Sequence, residues 1–187
     1  MDKNKPNRHL LTFAVTIVLV YLTSFCSKQN DVPESSLEMR DSLIYKQGST
    51  IPFNGREKAK VNDKIIEYDV VDGVRHGDFI IYYENGNFEI KGQMDNGINV
   101  GKWQYFYESG ELESEGYFVN DQPEGKWAWY SLSGNIIEEG NYQQGKRVGL
   151  WRNFDEYGNV TLEKEFSLDD TTNTTANFFD RFNIQNE

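Results

Sequence analysis

Four stretches of this chain share one 24-residue period, from Gly77 through Gly101 and Gly125 to Gly149. Two residues after each glycine stand Phe79, Trp103, Trp127 and Trp151, followed by Tyr82, Phe106, Tyr130 and Phe154. Gly86, Gly110, Gly134 and Gly158 come next, then Phe88, Leu112, Ile136 and Val160. Three copies continue with Gly92, Gly116 and Gly140, where the fourth has Lys164, and Met94, Phe118, Tyr142 and Phe166 close the units. Such a period marks an array in which each unit is one supersecondary element that buries its apolar face only against its neighbours. The regular units span about 72–95, 96–119, 120–143 and 144–166. A degenerate first unit over 40–71 keeps Tyr45, Phe53, Gly55 and Tyr68 but loses the strict spacing, as terminal units do.

Each unit has a residue-Gly pair between two alternating, aromatic-rich runs: Asn85-Gly86, Ser109-Gly110, Ser133-Gly134 and Tyr157-Gly158. Asn-Gly between strands is a strong hairpin signal. Read as a two-residue loop, Ser109-Gly110 pairs Glu108 with Glu111, Tyr107 with Leu112, Tyr105 with Ser114 and Trp103 with Gly116. Alternation then splits the side chains between two faces. Face A collects Trp103, Tyr105, Tyr107, Leu112, Gly116 and Phe118, and in the preceding unit Phe79, Ile81, Tyr83, Phe88, Ile90, Gly92 and Met94. Trp127, Trp129 and Trp151 continue it. Face B collects Gln104, Phe106, Glu108, Glu111, Glu113, Glu115 and Tyr117. The glycine opposite each tryptophan leaves room for the indole, which places Trp103 across Gly116 and Trp127 across Gly140. Gly77, Gly101, Gly125 and Gly149 follow "DGVRHG"-like connections and are read, with Gly86, Gly110, Gly134 and Gly158, as turn glycines. The expected fold is all-β: an elongated, single-layer antiparallel meander of tandem β-hairpins. Tyr82, Phe106, Tyr130 and Phe154 fit poorly on a polar face B, so either a bulge turns them inward or they form a second ladder.

The pattern Gly-x-Trp, two residues, aromatic, three residues, Gly, then a closing aromatic resembles the MORN repeat variant, and "RDSLIYKQGSTIPFNG" looks like the opening segment of bacterial proteins of that class. The resemblance covers roughly Arg40 to Phe166. It implies a curved sheet of hairpins with an aromatic groove used for protein contacts and sometimes for lipids; many such bacterial proteins are regarded as YwqK-type antitoxins. This chain departs from the pattern in its first unit, at Lys164, and at Asn153 and Asp155 on face A of the last unit.

The ends differ from the array. "MDKNKPNRH" is basic and Leu10 to Phe25 is uncharged, the layout of an export signal. As a helix the apolar run covers about 24 Å, short of the roughly 30 Å hydrocarbon core, which favours a signal over a transmembrane anchor. Cys26, the sole cysteine, ends the run and resembles the lipidated cysteine of a bacterial lipoprotein, although Phe25 before it departs from the small residue of that pattern. The N-terminus is therefore expected to tether an exported chain to a bacterial envelope membrane, by a lipid at Cys26 or by an uncleaved anchor helix over 1–26; simple secretion is a third outcome. Residues 27–39 read as a flexible linker. Residues 167–187 are polar and turn-rich and read as a disordered tail, in which Phe178, Phe179 and Phe182 could dock back on the domain.

No catalytic constellation is found. His9 lies in the signal and His76 in a connecting turn, and the single cysteine is spoken for. That leaves no Cys/His nucleophile, no thiolate zinc site and no other expected metal or cofactor. Glu111, Glu113 and Glu115, with Glu138 and Glu139, are read as aperiodic and solvated. A net charge of -11 disfavours nucleic acid as a partner. The expectation is a non-enzymatic, membrane-tethered scaffold for an unknown protein partner, with Phe79, Tyr83, Trp103, Tyr105, Tyr107, Trp127, Trp129 and Trp151 as the binding face if they are not simply core. Two other readings stay open: an antitoxin or immunity protein whose acidic surface blocks a basic toxin, and a glycan- or lipid-binding surface protein.

Overall fold

The computed structural model describes residues 32–61 and 64–169. The export signal or anchor, Cys26, the first part of the linker and the tail from residue 170 onward lie outside the described residues. Twelve strands and no helix are described. β1 (Leu37–Arg40) and β2 (Leu43–Lys46) form a two-stranded sheet of their own. The remaining ten run β3 (Gly55–Val61), β4 (Lys64–Val71), β5 (Val74–Tyr82), β6 (Phe88–Asp95), β7 (Ile98–Phe106), β8 (Leu112–Val119), β9 (Gln122–Tyr130), β10 (Ile136–Gln143), β11 (Lys146–Phe154) and β12 (Val160–Phe166). They form one antiparallel meander in sequence order. The expected all-β array of hairpins is the observed one.

Two kinds of turn alternate along it. Strands β4 and β5, β6 and β7, β8 and β9, and β10 and β11 are joined by two-residue loops: Asp72-Gly73, Asn96-Gly97, Asn120-Asp121 and Gln144-Gly145. Both residues of each loop have positive φ, for example 51° at Asn96 and 81° at Gly97, the type I′ geometry whose twist suits a hairpin. The other connections correct the sequence reading. Around Ser109-Gly110 the loop has three residues, not two: Gly110 N–H donates to Tyr107 O, and Tyr107 N–H to Glu111 O. The same bonds close the loops at Gly86, Gly134 and Gly158. This is a type I turn followed by a left-handed glycine.

Phe106 consequently pairs with Leu112 rather than with Glu113, and a bulge in the next step returns Tyr105 to Ser114 and Trp103 to Gly116. The turn and the bulge cancel, so the core register is as expected while the residues beside the turn change face. Phe88 and Leu112 move from the expected face A to face B, opposite Tyr82 and Phe106.

A second irregularity recurs between hairpins. Lys91 pairs with Gln104, but Gln93 pairs with Val100, so Gly101, Lys102 and Trp103 stand opposite the single Gly92. The same slip occurs between β4 and β5, β8 and β9, and β10 and β11. Gly77, Gly101, Gly125 and Gly149 therefore lie inside strands, at bulges, and not in the turns to which the sequence reading assigned them. Their φ values of 85°, 68°, 68° and 64° fall where a side chain is disfavoured.

Candidate interaction surface

Face A is built around the tryptophans. Trp103, Trp127 and Trp151 are buried among Phe79, Tyr105, Phe118, Trp129 and Tyr142. Each indole leans onto the glycine of the preceding hairpin. A Cβ on Gly92 would fall 2.3 Å from Trp103 Cδ2, one on Gly116 2.1 Å from Trp127 Cδ2, and one on Gly140 2.2 Å from Trp151 Cδ2. This corrects the expected direction, which laid Trp103 on Gly116 and Trp127 on Gly140. The indole N–H then donates to the carbonyl just after that glycine: Trp103 to Gln93 O at 3.2 Å, Trp127 to Tyr117 O at 3.2 Å and Trp151 to Asn141 O at 3.1 Å. Each tryptophan thus bolts its own hairpin to the one before it. Between the indoles stand Phe118 and Tyr142, edge-on: Phe118 to Trp127 at 5.4 Å and 89°, Tyr142 to Trp151 at 5.0 Å and 84°, the arrangement favoured by ring quadrupoles.

Of the residues expected on this face, Phe79, Trp103, Tyr105, Trp127, Trp129 and Trp151 are all buried. Burial pushes the Tyr105 phenol far above its ordinary pKa. Tyr83 and Tyr107 sit apart, half-buried beside the three-residue turns. Each reaches the next hairpin, Tyr83 Oη donating to Phe106 O and Tyr107 Oη to Tyr130 O, both at 2.7 Å. The ladder ends in cations: Arg147 lies 3.9 Å over the Trp151 ring and pairs with Glu138 at 3.0 Å, while Lys164 sits over Phe166.

Face B carries charge and a second, thinner aromatic row. Tyr82, Phe88 and Phe106 stack with centroids 5.4 and 6.1 Å apart. The second-ladder alternative therefore holds for these rings. The carboxylates between them are periodic, which the sequence reading missed: Glu115, Glu139 and Glu163 follow the repeat, and Glu67 keeps the same register with Lys91 between. Glu115 accepts from Lys102 at 3.0 Å and Gln104 at 2.9 Å. Glu139 pairs with Lys126 at 2.8 Å, and Glu163 with Arg152 at 2.8 Å. Glu67 takes Tyr82, Arg56 and Lys58. Burial alone would raise the Glu67 carboxyl, but those three partners outweigh it and hold it down at about 2. Writing the sequence in columns of one period would have exposed this row.

The three-residue turns form a rim of a different kind. Glu84, Glu108, Glu111 and Glu156 are exposed there, and the four turns contain neither lysine nor arginine. Beside the last of them, Ile136, Glu139, Phe154, Glu156, Tyr157 and Asn135 line a shallow open depression on face B. Among the described residues no group of His, Cys, Asp or Glu could hold a metal ion.

No curated protein matches this chain. Two solved structures share 15% identity with it: a chain of the Glycosylation Associate Protein (Gap123) complex from Streptococcus agalactiae, with a TM-score of 0.36, and the pneumococcal O-GlcNAc transferase GtfA in complex with UDP and GlcNAc, with a TM-score of 0.27. The matches cover 72% and 70% of this chain but only 25% and 21% of those chains, so it spans about a quarter or less of their length. The three central hairpin units, residues 75–96, 99–120 and 123–144, each match the family model described as MORN repeat variant.

Proposed function

We propose that this chain is a non-enzymatic repeat scaffold that holds a protein partner, exported and tethered to a bacterial membrane through its N-terminus. The observation that carries this reading is the second aromatic row on face B. A solvated sheet face has no need of Tyr82, Phe88 and Phe106 in stacking contact, and apolar rows rimmed by charge mark interaction surfaces. Phe88 and Tyr117 are exposed on that face. The face-A tryptophans serve the fold, and the partner meets face B.

The test is capture from native membranes by the full chain and by a Phe88→Glu/Tyr117→Glu variant. The variant should retain its sheet signal and lose the partner; equal retention by a folded variant would sink the assignment to face B. The tether is tested separately: lipid labelling should disappear in Cys26→Ala, and a native protein that is never labelled and keeps its full-length N-terminus has an anchor helix instead.

The acidic rim favours a second reading, in which the scaffold neutralises a basic protein such as an incoming toxin. Binding through the rim should weaken steeply with salt, whereas binding through the aromatic row should not.

A further inference from the structure

One stretch of face B recurs after two periods, filled the first time and hollow the second. At the first three-residue turn Phe88 stands between Tyr82 and Phe106, with centroids 5.4 and 6.1 Å away. Lys91 lays its ammonium over the Phe88 ring at 4.4 Å. Asn85 and Asn87 tie that turn to the next by donating to Glu108 O at 2.7 and 2.9 Å. Two periods on, the register brings Tyr130, Ile136 and Phe154 in place of the three rings, Glu139 in place of Lys91 and Ser133 in place of Asn85. An aliphatic side chain stands where a ring stood, and a carboxylate where a cation stood. Of the two asparagine bonds only that of Asn135 remains, at 3.4 Å to Glu156 O. These substitutions leave the depression of about 440 Å³ beside the last turn.

The carboxylate there is also short of a donor. Glu67 accepts from Tyr82 Oη at 2.6 Å. Tyr130 serves Glu115 in the same way: burial raises the Glu115 carboxyl, but Lys102, Gln104 and Tyr130 outweigh it and hold it below its ordinary pKa. In the same register Glu139 has Phe154, which carries no hydroxyl. One Glu139 oxygen keeps Lys126 at 2.8 Å. The other is 4.0 Å from Arg152, which is held by Glu163 at 2.8 Å. Among the described residues the depression is lined by no cation, whereas Glu139 and the exposed Glu156 both line it. Tyr157, 81% exposed, replaces Ser109 and Ser133 of the two preceding turns and adds a second ring to its wall.

We propose that this depression is a socket for an arginine side chain of the partner protein. A guanidinium supplies what the two substitutions removed: a flat group with the breadth of a ring, and a positive charge. It stacks on aromatic faces, here those of Phe154 and Tyr157, and donates in a planar fork to carboxylates, here Glu139 and Glu156. A lysine ammonium brings the charge without the plane. The inference rests on the reading that a protein partner meets face B, and adds which of the partner's side chains is seated there.

The full chain, isotopically labelled and kept in a non-ionic detergent, is titrated with the end-capped peptide Gly-Arg-Gly and followed by its amide spectrum. Shifts should gather at residues 135–136 and 156–158. Capped Gly-citrulline-Gly, planar but uncharged, should cause none, and capped Gly-Lys-Gly should bind several-fold more weakly. Ile136→Phe restores the ring that Phe88 supplies at the filled site and removes no charge, so it should abolish the shifts. Tyr157→Ser alters one exposed turn residue and should weaken binding several-fold. Absent shifts, shifts spread over the other acidic turns, or a citrulline or lysine peptide that binds as well overturn the proposal. So does an Ile136→Phe chain that folds and binds like the native one. Should Ile136→Phe not fold, unchanged binding by Tyr157→Ser overturns the proposal instead. Because the probe is a peptide and not the native partner, the result is independent of whether the Phe88→Glu/Tyr117→Glu variant loses its capture from membranes.

Discussion

The Trp127 indole lies flat on Gly116 of the preceding hairpin, leaving no space for a side chain there: a Cβ would sit 2.1 Å from Cδ2. The contact ties β8 of one hairpin to β9 of the next, across the bulge opposite Gly116. It also explains why the glycine recurs with the tryptophan. Gly116→Ala forces the indole off the sheet and breaks its bond to Tyr117 O. Overpacking of this kind costs about 3 kcal/mol, read as a fall in the denaturant midpoint. A midpoint within error of the native chain's would show that the ladder yields freely.

Gly125 tests a different mechanism. Its φ is 68° and nothing lies within 4 Å of an added Cβ, so the cost of Gly125→Ala is backbone strain alone, about 1–2 kcal/mol. Asparagine tolerates this region better than alanine. Gly125→Asn should therefore recover part of the melting temperature that Gly125→Ala loses. Equal losses would place the cost in a contact rather than in φ.

The array was legible because a period multiplies weak signals: Trp103, Trp127 and Trp151 each confirm the others. What stayed hidden were choices that the same residues allow in two ways. Ser109-Gly110 suits a two-residue or a three-residue loop, and only the hydrogen bonds of Tyr107 decide. The loop length and the bulge after it offset each other, so the pairing of Trp103 with Gly116 came out right while Leu112 was put on the wrong face. The lean of Trp103 toward Gly92 rather than Gly116 follows from the bulge at Gly101, and a glycine at the start of a strand looks in sequence like the end of a turn. The paired carboxylates on face B were visible in principle, since Glu115, Glu139 and Glu163 keep the period, but Lys91 interrupts the row.

Glu67 ties stability to acid. Its carboxylate accepts from Tyr82 Oη at 2.6 Å and pairs with Arg56 at 2.7 Å and Lys58 at 3.1 Å. Burial opposes ionisation, yet these partners hold the pKa at about 2, below the ordinary value of about 4.3 for an unfolded chain. Between those values the unfolded chain binds a proton that the folded chain does not. The contribution is complete above about pH 4.3 and is lost as pH falls toward 2. With the Arg56 and Lys58 side chains nearly half exposed, solvent screening cuts it to about 1 kcal/mol. Glu67→Gln should therefore flatten the fall in urea midpoint between neutral and acid solution. A variant whose midpoint falls as steeply as the native one places the acid sensitivity elsewhere.

Ser114 offers the opposite sign. It is fully buried on face A, paired with Tyr105 on one side and Trp129 on the other. Its Oγ finds no hydrogen-bond partner. Isoleucine holds the same register one unit earlier, at Ile90, where the flanking partners are Ile81 and Tyr105 instead of the two rings of Tyr105 and Trp129. The hydroxyl was desolvated without compensation, and a buried unsatisfied group of this kind costs about 1–3 kcal/mol. Ser114→Ala removes the polar atom and keeps the volume nearly unchanged, so it should raise the denaturant midpoint by the equivalent of about 1 kcal/mol. Ser114→Ile should lower it by overpacking against Tyr105 and Trp129. A destabilised alanine variant would mean that the hydroxyl is satisfied in solution, and an isoleucine variant as stable as the native chain would mean that the two rings are free to move apart.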